Sequence, residues 1–95
     1  NGYKVVAAAL NHIAADRPNT PYEACVLVQS MMGASTDYAD GYRAGYAALQ
    51  VIGQTDNYTV KNIIDLALRQ ANSTSDWSYG YSILNNALNQ LKVSF

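Results

Sequence analysis

The sequence is poor in the residues that usually reveal a reaction. It has one cysteine, Cys25, which cannot close an internal disulfide, and one histidine, His12. With so few soft ligands at no recognisable spacing, a metal site is not expected. Prolines are confined to Pro18 and Pro21, and no apolar run approaches the roughly 20 residues that span a bilayer. Charge is scarce: 14% of the chain is Asp, Glu, Lys or Arg, against about 25% in typical soluble domains. The six basic residues, Lys4, Arg17, Arg43, Lys61, Arg69 and Lys92, are scattered and the net charge is -1, which argues against a nucleic-acid binder.

What is present points to a folded, helical chain. Apolar residues make up 49% of the 95 positions, enough for a single modest core and one domain, 1–95. Alanine, asparagine and eight tyrosines take the place of the missing charge. A start at Asn1 rather than Met, with little Lys and Glu and much Asn, Ser, Thr and Tyr, suggests a processed, exported product in a periplasmic or secreted setting.

Helical spacing predicts a first helix from Tyr3 to Ala15, ended by "DRPNTP". "TPYE" then supplies Thr20 as an N-cap, Pro21 at the first helical position and Glu23 three residues after the cap, which starts a second helix reaching about Met32. Gly33 reads as its stop, and Ser35 or Thr36 as the cap of a third helix that ends at Gly53. Thr59 reads as the cap of a fourth, whose stripe is Val60, Ile63, Ile64, Ala67, Leu68 and Ala71, with Asp65 and Arg69 spaced to pair. A fifth, Asp76 to about Lys92, puts Trp77, Gly80, Tyr81, Leu84, Ala87, Leu88 and Leu91 on one face and Asn85, Asn86 and Asn89 away from it. No segment alternates as a strand does. The expected fold is all-α, a compact single-domain bundle of about five short helices.

The third helix, "DYADGYRAGYAALQVIG", carries two interior glycines, each costing roughly 1 kcal/mol relative to alanine. Gly41 and Gly45 stack on one side and Tyr38, Tyr42 and Tyr46 on the adjacent side. A smooth groove beside an aromatic ridge offsets the glycine cost if a neighbouring helix backbone packs closely into the groove. The ridge is then core, or in part an exposed protein-binding surface, a use to which tyrosine is suited.

Searches for chemistry end without a reaction. Cys25, between Ala24 and Val26, reads as a buried inert thiol, with a disulfide between two chains of a homodimer as the alternative. The seven carboxylates fall at caps, loops and helix faces, and Asp37 with Asp40 could flank one site. No phosphate loop, nucleophile elbow or HExxH is present, so no enzymatic activity and no cofactor are expected. Asn57-Tyr58-Thr59 and Asn72-Ser73-Thr74 match the glycosylation acceptor pattern in expected loops.

The order of "ACVLVQSM", "YADGYRAGYAAL" and "VKNIIDLALRQANS" resembles the HdeA-type fold of small periplasmic acid-stress chaperones and the related Tai group of immunity proteins against secreted effectors. The likeness spans about Pro21 to Leu91. Cys25 stands at the place of the family's first cysteine, and Leu68 stands near the place of the second. The resemblance implies a protein that works by binding protein: a stress chaperone, or alternatively an immunity protein that blocks an effector's active site. A structural exported domain is the third reading.

Overall fold

The computed structural model describes residues 21–94. Four helices occupy them: α1, Pro21–Ala34; α2, Tyr38–Ile52; α3, Tyr58–Asn72; and α4, Trp77–Ser94. They form a compact all-α bundle, with no strand among the described residues. The count is four there rather than about five. The expected first helix, Tyr3 to Ala15, lies outside the described residues, as do His12, Asp16 and Thr20.

Each helix contributes apolar residues at helical spacing to one core. Cys25, Val28 and Met32 come from α1, and Ala44, Ala48 and Leu49 from α2. Val60, Ile64, Ala67 and Ala71 come from α3, and Leu84, Ala87, Leu88 and Leu91 from α4. The longest helix, α4, touches the other three; α2 meets α3 only slightly, and α1 does not reach α3. The core therefore forms around the apolar face of α4. No described side-chain polar atom is buried without a hydrogen-bond partner. No described helix is long and apolar enough to cross a membrane.

The helix ends differ from the expected caps for local reasons. Gly33 does not stop α1, which runs on to Ala34; the Ser35 hydroxyl then donates to the Met31 carbonyl at 3.1 Å and closes the last turn. Asp37, not Ser35 or Thr36, caps α2: its extended backbone lets Oδ1 accept from the Asp40 amide at 2.8 Å. Asn57, not Thr59, caps α3 by accepting from the Val60 amide at 3.1 Å. In both cases the side chain that wins stands three residues before the amide it captures, the reach an N-cap needs. Gly53 closes α2, as its position suggests.

Polar residues also set one helix seam. Gln29 Nε2 of α1 donates to the Asn85 and Asn89 side-chain oxygens at 3.0 and 2.8 Å. Asn85 and Asn89 thus lie along the α1/α4 border, outside the apolar face as their spacing requires. Asp65 and Arg69 do not pair with each other, whereas Arg43 pairs with Asp40 at 3.4 Å on the surface.

Candidate functional site

The space beside Gly41 and Gly45 is filled chiefly by side chains. A Cβ built on Gly41 would stand 2.5 Å from Tyr81 Cε2 and 3.3 Å from the Met32 carbonyl oxygen. One built on Gly45 would stand 2.8 Å from the Met32 sulfur. One backbone atom, the Met32 carbonyl oxygen of α1, comes close to Gly41, and the Tyr81 ring and the Met32 thioether occupy the rest of the groove.

The arrangement is reciprocal. Gly80 of α4 receives the ring of Tyr42 of α2, for a Cβ there would lie 2.7 Å from Tyr42 Cδ2. So Tyr81 sits on Gly41 while Tyr42 sits on Gly80, and each helix inserts a ring where the other has no side chain. This exchange sets the register of α2 against α4.

The rings that cover the crossing form a ladder. Tyr38 meets Tyr81 edge to face with centroids 5.3 Å apart, and Tyr42 meets Trp77 the same way at 5.1 Å. Tyr46 lies 5.7 Å from Tyr42, and its hydroxyl accepts from Asn72 Nδ2 at 2.6 Å, tying the ladder to the end of α3. Arg43 lies over the Trp77 ring at 5.1 Å, within cation–π range. Such ring pairs are worth about 0.5–1.5 kcal/mol each beyond the area they bury.

The structure thus brings Tyr42 and Tyr46 into direct contact, while Tyr38, at the start of α2, pairs across the helix seam with Tyr81. Trp77, Tyr81 and Arg43 complete the face, and the sequence pattern places Trp77 and Tyr81 on the same side of their helix as Leu84 and Leu88. The available signal was the repeated Gly-Tyr step at 41–42, 45–46 and 80–81. Tyr38 is 56% exposed and Trp77 47%, whereas Tyr42, Tyr46 and Tyr81 are half-buried. Burial, and then the neighbouring Tyr46, raise the Tyr42 hydroxyl above its ordinary pKa, so it stays protonated at neutral pH. The face is apolar in its body, with hydroxyls and one guanidinium at its edge.

Cys25 is fully buried, and burial pushes its thiol up to about 11 against a smaller opposing effect of Lys92. The core would have to open before this thiol could join two chains. Among the described residues no three His, Cys, Asp or Glu side chains cluster as metal ligands. Asp37 and Asp40 serve the start of α2, one as its cap and the other as partner of Arg43.

No family model, curated protein or solved structure matches this chain.

Proposed function

We propose that the protein acts by binding another protein through the aromatic face shared by α2 and α4. The observation that carries this reading is a rigid ladder of tyrosines and one tryptophan, with an arginine over it, left partly open to solvent. Tyr, Trp and Arg dominate the energetics of protein interfaces, and rings already locked against each other lose little entropy on binding. An exported setting, in the periplasm or outside the cell, is part of the proposal and rests on composition and on the HdeA and Tai likeness.

Between the two family readings, the inhibitor of a specific effector is favoured over the acid-activated chaperone. An acid trigger needs carboxylates held in ion pairs that break on protonation. Among the described residues, Arg43 pairs with Asp40 in a surface contact of a kind worth about 0–1 kcal/mol. One observation keeps the chaperone as the second reading. Asp76, at the start of α4, accepts from the Ser78 hydroxyl and from the Tyr79 and Ser78 amides, which lower its pKa below the ordinary 3.8. Protonating it would loosen the end of α4 that carries Trp77.

The test compares the native protein with a Tyr38→Ser/Trp77→Ser variant of equal thermal stability, both immobilised at neutral pH. The inhibitor reading expects one partner held by the native protein and lost by the variant. Equal retention by both proteins contradicts the aromatic face. Suppression of an unrelated client's aggregation only below about pH 4 would favour the chaperone instead.

A further inference from the structure

At one end of the aromatic ladder, a cleft of about 370 Å³ opens between the last turn of α1 and the first turn of α2. Its walls include the Tyr38 and Tyr81 rings and Met32, and its rim carries Ser35, Thr36 and Asp37. We propose that this cleft receives a basic side chain, arginine or lysine, from the protein partner. The inference rests on the protein-binding reading above and names the chemistry of the partner at that site.

The groups in the cleft select a cation. Asp37 uses Oδ1 to cap α2, while Oδ2 has no hydrogen bond among the described residues. The Thr36 hydroxyl is likewise unengaged there and exposed. Among the described residues no lysine or arginine lines the cleft, and the guanidinium next along α2, Arg43, already lies against Asp40 and Trp77. A negative acceptor thus stands open beside two aromatic rings, with no cation among the described residues set against it.

The helix dipole works against a cation at this position, but it is the smaller charge. The N-terminus of α2 presents roughly half a positive charge, and the Asp37 carboxylate beside it carries a full negative one. The balance remains negative. A flat guanidinium can lie on a tyrosine ring while donating to Oδ2, and an ammonium can do so as a point charge. A carboxylate from a partner would meet Asp37 as a like charge, which disfavours an acidic ligand.

The test uses isotope-labelled, full-length protein titrated with an acetylated, amidated Gly-Arg-Gly peptide and followed by amide and ring resonances. Saturable shifts are expected at residues 33–38 and at Tyr81, with the Gly-Glu-Gly counterpart producing none. Asp37→Asn keeps the cap, because asparagine caps about as well as aspartate. It should weaken peptide association about tenfold by removing the charge from the hydrogen bond. Absent shifts, or unchanged affinity in Asp37→Asn, would overturn the inference. Methylguanidinium binding as tightly as the peptide would also overturn it, by making the occupant a free small cation. If Tyr38→Ser/Trp77→Ser loses the protein partner and Asp37→Asn retains it in full, the aromatic face stands and the basic-side-chain assignment falls.

Discussion

Glycines at 33, 41 and 80 lie in helices, yet substitution should affect them in opposite directions. A Cβ on Gly33 meets nothing within 4 Å, so Gly33→Ala should stabilise the fold by about 0.5–1 kcal/mol through the unfolded chain's lost freedom. At Gly41 the same change drives a methyl into the Tyr81 ring and towards the Met32 carbonyl. Gly41→Ala should cost about 1–3 kcal/mol despite better helix propensity, and Gly80→Ala should behave likewise through Tyr42. Urea melts of the three variants check the contrast; a stabilised Gly41→Ala would show that Tyr81 leaves its seat at no cost. Cys25 gives a second residue-scale expectation. With its thiol buried and raised to about 11, native protein should resist alkylating reagents at pH 8 and react only on unfolding. Rapid labelling of folded protein would place the thiol outside the core.

At the scale of the element, α4 supports the bundle. Leu84, Leu88 and Leu91 are fully buried along its contacts with the other helices. Leu88→Ala should cost about 2–5 kcal/mol and lower the midpoint of unfolding for the whole described bundle rather than for one helix. A loss confined to the end of α4 would contradict this. The apolar spacing of α3 and α4 made both helices legible in the sequence, because a buried stripe at period 3.6 has no other simple explanation. Caps were less legible. Ser35, Thr36, Asp37, Asn57 and Thr59 can all cap, and which one does depends on where the backbone turns. The Gly-Tyr exchange was half legible: Gly41 and Gly45 announce a close contact. Their spacing cannot show that a ring from Tyr81, 40 residues away, fills the first of them. Trp77 and Tyr81 were hidden for a related reason. Large rings at apolar positions look like core, and only the helix crossing leaves them at its border.

For the molecule as a whole, pH and partner binding separate the available readings. Asp76 has a folded pKa lowered below 3.8, chiefly by the Ser78 hydroxyl, so its contribution to stability is complete above the unfolded value. That contribution is lost as pH falls through the folded pKa. Melting temperatures of native protein and Asp76→Ala should therefore differ most above about pH 4 and converge towards pH 2, followed by circular dichroism. A constant difference would remove Asp76 from any acid response. The central claim concerns the face above the glycine exchange, and the chain's single tryptophan lies within it. The most direct measurement is acrylamide quenching of Trp77 fluorescence, with and without the partner retained at neutral pH. Binding through the aromatic face predicts that Trp77, now 47% exposed, becomes shielded and its quenching constant falls severalfold. A quenching constant unchanged in the complex would place the interface elsewhere and contradict the account.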